Sequence, residues 1–426
     1  MDGSQQSTTI AALDIGTSKI TVAVATVSDE EGLELKGFGK VPSKGIHAGS
    51  VQDVELAVES IRQAVSEAEA MSGLPIQSVY AALTGKYLRS VNKVGRLVLP
   101  ASEVTPSDVK RVTQLAKAFD PKNEPNPITG VVSDDDRVVA HVTKGYTLDS
   151  DETILQDPLG MSGSVLKANV HLAIGSDSTV LNLVKCIRRA GLDVEGLVLQ
   201  PWASAASCLT PTEKELGVIL LDIGASTIDV CCYVNGQIEL THVLVAGGDL
   251  LSRDIAAWLG CTLEDAEDIK LTYSHIGVRE GDRYERIRYT YEPDGSEKVV
   301  ACEELVNIVE ARAAELLMYI KQYALDPDNW LQRAAAGIVI TGGGTNMEGF
   351  RELAQRTFML PVRQGSPQPL GQGSLQLQTP ADATVIGVLH ETVRRRRMSG
   401  QMKTSSSRLS GAWEWLKRIV FGDFSE

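Results

Sequence analysis

The sequence contains no run of 18 apolar residues, so it is not expected to place a helix across a bilayer. It has no Cys-x-x-Cys pair. Cys186, Cys208, Cys231, Cys232, Cys261 and Cys302 lie mostly within apolar runs, where a thiol packs as a small hydrophobe, so buried thiols in a reducing cytoplasm are expected. The six histidines are scattered without a His-Glu-x-x-His cluster, which argues against a zinc site built by the protein. Met1–Thr9 is polar and lacks a basic patch leading into an apolar run, so it is not read as a signal peptide. Net positive charge is also missing: the formal charge is −14, which argues against nucleic acid as the main partner.

What is present is ordinary for a soluble globular protein, with 43% hydrophobic and 23% charged residues. Its 426 residues leave room for two or three domains. The charge is uneven. Arg394, Arg395, Arg396, Arg397, Lys403, Arg408, Lys417 and Arg418 face a single nearby acid, Glu414, so this stretch is +7 and the rest is −21. An acidic body carries a basic tail.

One supersecondary unit occurs twice. Ile10–Leu13 runs into Asp14, Ile15, Gly16, Thr17, Ser18 and Lys19, then a second strand, Ile20–Val27. Val218–Leu221 runs into Asp222, Ile223, Gly224, Ala225, Ser226 and Thr227, then Ile228–Val234, an Asn235-Gly236 turn and Glu239–Val245. A unit repeated about half a chain apart implies two similar domains. Helical spacing over Val51–Met71, Asp177–Ala190 and Glu303–Leu325 adds helices to both, giving an α/β fold with mixed sheets. Residues 1–84, 166–205 and 358–393 are expected to form the first domain, with 85–165 inserted into it. Residues 206–258 and 310–357 form the second, with 259–309 as a small lobe. The fold is expected to end after Leu389, with 394–410 a basic flexible linker and 411–426 a separate amphipathic helix.

A polyphosphate is held by converging backbone N–H groups, and turns of small residues supply these without side chains in the way. Gly16 and Gly224 allow close approach, Thr17, Ser18, Ser226 and Thr227 add hydroxyls, and Lys19 and Ala225 complete the two turns. Asp14 and Asp222 are placed to hold Mg²⁺ through waters. A third strand, Gly337–Thr341, ends in Gly342, Gly343 and Gly344, whose bare backbone can lie against an adenine ring and ribose, before a helix from about Met347. Gly247 and Gly248 precede another helix and can contact phosphate or help close the cleft. Glu267 and Lys270, three apart on one helical face, can reach the ribose hydroxyls or form a solvated charged face. Together these loops point to ATP. Gln200, between strand Val194–Leu199 and a small-residue helix, is the candidate for orienting an attacking water; a capping or packing role suits it as well.

In the tail, at about 100° per residue, Trp413, Trp415, Leu416, Ile419, Val420 and Phe424 fall on one half of a helix. Glu414, Lys417 and Arg418 lie on the other, and Phe421 breaks the pattern. Aromatics beside basic residues suit a lipid headgroup boundary, where each Lys or Arg near an anionic leaflet adds about 1 kcal/mol. The alternatives are that this helix docks on the body or on a protein partner, and that Arg394–Arg397 merely solvates a helix end.

With the stretches Leu13–Ile20, Gly45–Val51, Ala82–Gly85, Tyr146–Asp149, Asp157–Gly163, Leu221–Thr227 and Thr341–Gly344, the chain resembles the actin, heat-shock chaperone and sugar kinase superfamily. Within it the chain resembles the FtsA family of bacterial cell-division proteins, the Asp157–Gly163 stretch being the most diagnostic. The resemblance implies an actin-like duplicated two-domain fold with a nucleotide cleft, a family-specific subdomain at 85–165 and a C-terminal amphipathic helix. It implies a peripheral protein of the inner face of the cytoplasmic membrane, at the division site, that binds ATP and Mg²⁺. Such a protein polymerises on membrane, tethers the FtsZ ring and works with other division proteins. The lobe at 259–309, with Arg279, Arg283, Arg286 and Arg288, would take the FtsZ C-terminal tail. Ala225 and Ser226 depart from the glycines frequent in the family, and Gln200 leaves hydrolysis open. A small-molecule kinase of the superfamily and a pilus-assembly scaffold are the competing readings, neither of which needs a terminal amphipathic helix. A chaperone is disfavoured because no substrate-binding domain follows residue 400.

Overall fold

A computed structural model describes residues 8–28, 32–86, 88–100, 103–119, 133–371 and 376–398. The expected amphipathic helix, from Trp413 to Phe424, lies outside the described residues.

β1 (Thr8–Ile15) and β2 (Lys19–Ser28) form the expected antiparallel hairpin, extended by β3 (Gly32–Pro42). β1 is buried at every position from Ile10 on, as befits a central strand covered on both faces. β4 (Ile46–His47) and β5 (Ser50–Val51) make a miniature hairpin. Val51 is therefore strand, and α1 (Val54–Ser72) starts later than its apolar spacing suggests, at the Asp53 cap that accepts from the Leu56 N–H. β6 (Ser78–Leu83) lies parallel to β1.

The chain then departs into β7 (Arg89–Val98), α2 (Pro106–Lys117), β8 (Asp136–Leu148) and β9 (Val165–Ser176). β9 pairs along its length with both β7 and β8, so the inserted unit ends at Ser176 rather than at residue 165. α3 (Asp177–Arg189), β10 (Asp193–Leu199) and α4 (Gln200–Cys208) return to the first domain, whose sheet has the order β10-β6-β1-β2-β3.

After α5 (Pro211–Leu216), β11 (Val218–Ile223), β12 (Ile228–Val234) and β13 (Gln237–Leu244) repeat the opening unit. α6 (Asp249–Leu259), α7 (Leu263–Tyr273), β14 (Arg286–Tyr291) and β15 (Ser296–Ala301) follow, then α8 (Cys302–Ile320), which continues as a π turn through Leu325. α9 (Trp330–Arg333), β16 (Ile338–Thr341), α10 (Phe350–Phe358) and β17 (Val362–Gln364) complete the second domain. α10 starts at Phe350 rather than near Met347 because the left-handed Gly349 precedes it. β17 pairs with β16, so the chain leaves this domain after Gln364 and not at residue 358.

α11 (Ala383–Met398) crosses α4 so closely that a Cβ on Gly387 would lie 1.8 Å from the Ala203 carbonyl oxygen. The fold therefore does not end at Leu389, and Arg394–Arg397 form the last turn of a helix rather than a linker. Arg394 pairs with Glu391, Arg395 donates to the Leu197 carbonyl, and Arg396 pairs with Glu195. Cations at a helix C-terminus also complement its dipole.

The inserted sheet and the second domain's sheet are one surface, of order β17-β16-β11-β12-β13-β7-β9-β8. They join at the Arg89–His242 bridge, beside a buried Arg89–Asp136 ion pair of 3.0 Å. All six cysteines are buried free thiols.

Candidate functional site

The β1–β2 and β11–β12 turns are built alike. Gly16 N–H donates to the Lys19 carbonyl at 3.0 Å, and Gly224 N–H to the Thr227 carbonyl at 2.9 Å. The two turns meet across the cleft: Thr17 Oγ1 and Ser226 Oγ are 2.5 Å apart, and the Ala48 N–H reaches both hydroxyls, at 3.2 and 3.0 Å. Hydroxyls from two domains and a backbone donor thus converge where the sequence predicts phosphate. Ser18 is not drawn into this contact; its carbonyl accepts from the Ser43 N–H.

The glycine loops pack onto the second turn. Gly342 has φ 87°, and a Cβ there would lie 2.4 Å from Asp222 Oδ1; one on Gly344 would lie 2.8 Å from the Ile223 carbonyl. Gly343 is different: among the described residues only Ala381 Cβ lies within 4 Å, at 3.7 Å, so its face stays open to them. Gly247 backs onto the Ala225 carbonyl, Gly248 N–H donates to the Gly224 carbonyl at 3.0 Å, and Asp249 N–H to the Ala225 carbonyl at 2.8 Å. Gly247 and Gly248 therefore shape the second turn. Beside them Lys270 Nζ donates to Gly248 O at 3.2 Å, Ser252 Oγ at 2.9 Å and Glu267 Oε2 at 2.6 Å. Glu267 and Lys270 share a face as expected, but the ammonium is already engaged, while the Glu267 side chain remains 40% exposed.

Carboxylates collect under the turns. Burial pushes the Asp14 carboxyl up to about 7; Lys19 opposes this and Asp222 and Asp382 add to it. Asp222 is also raised by burial, against hydrogen bonds from Ser204, at 2.5 Å, Thr384, at 3.2 Å, and Gln200. Gln200, first residue of α4, is thus brought to Asp222. Asp229, in β12, is raised well above the carboxylate range by burial and by Asp222; Thr84 Oγ1 donates to its Oδ1 at 2.8 Å. Among the described residues, Asp14 Oδ1 and Asp229 Oδ2 are buried without a hydrogen-bond partner. Unpaired buried carboxylate oxygens in mutual repulsion are what a divalent cation relieves, so this donor set suits Mg²⁺.

Lys19 Nζ donates to the Ala381 carbonyl at 2.5 Å and to Asp382 Oδ1 at 3.2 Å, and Lys40 reaches the same oxygen at 3.0 Å. Burial alone would raise Asp382, but Lys19, Thr379 and Lys40 bring it below its usual value. Sequence reasoning missed Asp229, Lys40 and Asp382. Asp229 carried a signal, a carboxylate inside the apolar run Ile228–Val234; Lys40 and Asp382 carried none.

A chain of hydrogen bonds, buried at Trp202, Thr241 and His171, fixes α4. Trp202 Nε1 donates to Thr241 Oγ1 at 2.8 Å, His171 Nε2 lies 2.9 Å from the same oxygen, and His171 Nδ1 lies 2.8 Å from Asn92 Oδ1. The inserted unit, β13 and the helix bearing Gln200 and Ser204 are thereby tied together.

On the small lobe the four arginines each have a local partner: Arg279 with Glu348, Arg283 with Glu303, Arg288 with Glu297, and Arg286 with the Arg283 and Glu285 carbonyls. Their ion pairs are exposed and so of small energy.

A model of the family described as "Cell division protein FtsA" matches residues 219–387, and one of the "SHS2 domain inserted in FTSA" matches 85–174. The cell division protein FtsA of Neisseria meningitidis serogroup B is 36% identical over 386 residues, covering 91% of this chain and 90% of that one. The chain belongs to the FtsA family of cell division proteins. The FtsA of Pseudomonas aeruginosa is 35% identical over 421 residues, covering 97% of this chain and 98% of its own, and that of Escherichia coli K12 is 31% identical over 417 residues, covering 96% of each. The SHS2 match ends at residue 174, in agreement with β9 closing the insertion. Among solved structures the fold is shared with the PilM-PilN type IV pilus biogenesis complex, at TM-score 0.59 and 18% identity, covering 90% of this chain and 98% of that one. It is shared too with MreB5 of Spiroplasma citri bound to ADP, at TM-score 0.51 and 13% identity, covering 92% and 98%. The FtsA-family chain therefore has the actin-like α/β fold with an SHS2 insertion.

Proposed function

We propose that this FtsA-family protein binds ATP with Mg²⁺ between its two domains and tethers the FtsZ ring to the inner face of the cytoplasmic membrane at the division site, polymerising there and engaging other division proteins. The observation that carries the nucleotide reading is the meeting of the two Asp-Ile-Gly turns, through Thr17, Ser226 and the Ala48 N–H, over buried carboxylates with unpaired oxygens. The ADP bound by MreB5, an actin-like neighbour, accords with it.

In this reading the turn N–H groups and the Thr17, Ser18, Ser226 and Thr227 hydroxyls hold the phosphates, with Lys19 at their side. Asp14 and Asp222 hold Mg²⁺ through waters, and the metal supplies charge neutralisation. The open face of Gly343 takes the purine, and Glu267 offers its exposed carboxylate to the ribose. Gln200, bonded to Asp222, orients a water, which makes the protein at most a weak ATPase. Its main role is structural.

The tether rests on the tail sequence, where Trp413, Trp415, Leu416, Ile419, Val420, Phe421 and Phe424 enter the headgroup boundary and Lys417 and Arg418 meet anionic lipid. The arginines of the small lobe suit an acidic peptide such as the FtsZ C-terminal tail. The pilus-scaffold reading shares the fold of the PilM complex but gives the amphipathic tail no role. Co-sedimentation of an FtsZ tail peptide with anionic vesicles tests the proposal, comparing the intact chain, a chain ending at Ser410 and Trp415→Glu, with and without ATP. The intact chain alone should carry the peptide down. Equal sedimentation by all three would remove the tail from the tether.

A further inference from the structure

Two ammonium groups from adjacent strands meet on one buried carboxylate beside the cleft. Lys19 opens β2, and Lys40 lies on β3 opposite Thr21, so both side chains rise from the same face of the sheet. Both end on Asp382 Oδ1, Lys19 Nζ at 3.2 Å and Lys40 Nζ at 3.0 Å. Thr379 serves the other oxygen, with its hydroxyl 2.5 Å and its N–H 3.3 Å from Oδ2. The Asp382 side chain is 0% exposed, whereas those of Lys19 and Lys40 are 21% and 37% exposed. Asp382 is thus a carboxylate fixed in the wall by the turn that leads into α11, and the two lysines reach it from the solvent side.

Lys19 also belongs to the first Asp-Ile-Gly turn. Burial raises the carboxyls of Asp14 and Asp222, and Lys19 opposes it at both. Lys40 stands further back, on the edge strand of the first domain's sheet. Burial makes the Lys19 ammonium easier to deprotonate, Asp382 opposes this and Lys40 adds to it. A polyphosphate arriving at the turn competes with Asp382 for Lys19. If Lys19 alone balanced Asp382, drawing it away would strand a buried charge, which is costly. With Lys40 on the same oxygen, the carboxylate keeps a partner.

We propose, resting on the reading of this cleft as an ATP site, that Lys40 is a positioning residue for the nucleotide: it holds the charge of Asp382 so that Lys19 can turn to the phosphates. Lys40 acts through Asp382 and Lys19 rather than by touching the ligand. On binding, the carboxylate passes from two ammonium partners to one, with no proton transferred and no bond broken. The sharing of one oxygen by two lysines is what makes the hand-over possible.

The test is calorimetric titration of the full chain with ATP in excess Mg²⁺. Lys40→Met should weaken ATP binding about tenfold, because Asp382 then needs Lys19 for itself. Lys36→Met removes an equal charge from the same strand, at the exposed Lys36–Glu34 pair, and should leave the affinity native. Asp382→Asn decides the matter, since no carboxylate there competes for Lys19. In that background Lys40→Met should cost less than about twofold. An equal loss in both backgrounds, or an equal loss in Lys36→Met, would make Lys40 a distant cation only and overturn the proposal. Native affinity in Lys40→Met would overturn it as well. Should Asp382→Asn not fold, the contrast between Lys40→Met and Lys36→Met decides alone. A native chain without saturable ATP binding fails the nucleotide reading and this one together, whereas native binding indifferent to Lys40→Met fails this one alone.

Discussion

Replacing Gly342 with alanine sets a methyl group 2.4 Å from Asp222 Oδ1 and 2.5 Å from the Ile223 carbonyl oxygen, at a φ of 87°. With ψ at 161° this backbone is essentially reserved for glycine, and it alone costs a side chain about 1–3 kcal/mol. The methyl must also push Asp222 away from Ser204 and Thr384, and each such buried bond contributes about 1 kcal/mol or more. Gly342→Ala should therefore destabilise the protein by roughly 3–4 kcal/mol and weaken ATP binding at least tenfold. The neighbouring position gives the contrast. Among the described residues Gly343 meets only Ala381 Cβ, at 3.7 Å, so Gly343→Ala should change stability by less than about 0.5 kcal/mol. Gly343→Val should likewise leave the urea midpoint close to native, yet weaken ATP binding because its side chain fills the face offered to the purine. Urea denaturation and titration of a fluorescent ATP analogue read the two effects apart. Native stability in Gly342→Ala would refute the packing of this loop on Asp222, and native ATP affinity in Gly343→Val would refute the purine position.

Thr241→Val removes the hydroxyl shared by Trp202 and His171 and leaves two buried polar groups unpaired, for a loss of about 2–4 kcal/mol by urea denaturation; a loss under 1 kcal/mol would show that they find other partners. Because Asp14 is raised to about 7, the folded protein holds a proton there that the unfolded chain gives up in the ordinary carboxylate range. The nucleotide-free protein should accordingly lose stability as pH rises from about 4 to about 7, by up to roughly 4 kcal/mol, and Asp14→Asn should flatten that slope. Since a cation needs the carboxylate, affinity for MgATP should rise through pH 7 in the native protein but not in Asp14→Asn. Combined Arg283→Glu, Arg286→Glu and Arg288→Glu should weaken an acidic FtsZ tail peptide at least tenfold at low salt; unchanged binding in fluorescence anisotropy would move the peptide elsewhere.

The duplicated hairpins were legible because each Asp-Ile-Gly turn sits between strands buried over most of their length, which read as apolar runs on either side of a turn. The glycine loop after β16 was legible for the same reason. Boundaries fared worse where pairing partners are distant. β9 belongs to the insertion only because it pairs with β7 and β8, and β17 to the second domain only through β16; neither fact is written in local composition. Arg394–Arg397 looked like a linker because four cations break apolar periodicity, yet Glu391, the Leu197 carbonyl and Glu195 receive the first three. The candidate site divides in the same way. Gln200 and Asp222 stand at strand ends that apolar runs announce, whereas Lys40 and Asp382 come together from 342 residues apart.

Isothermal titration of the full chain with ATP in excess Mg²⁺, beside Asp222→Asn, tests the nucleotide cleft most directly. A single site per chain, weakened at least tenfold in Asp222→Asn while its circular dichroism stays native, is the expected result. No saturable heat in the native protein, or equal affinity in a folded Asp222→Asn, would contradict it.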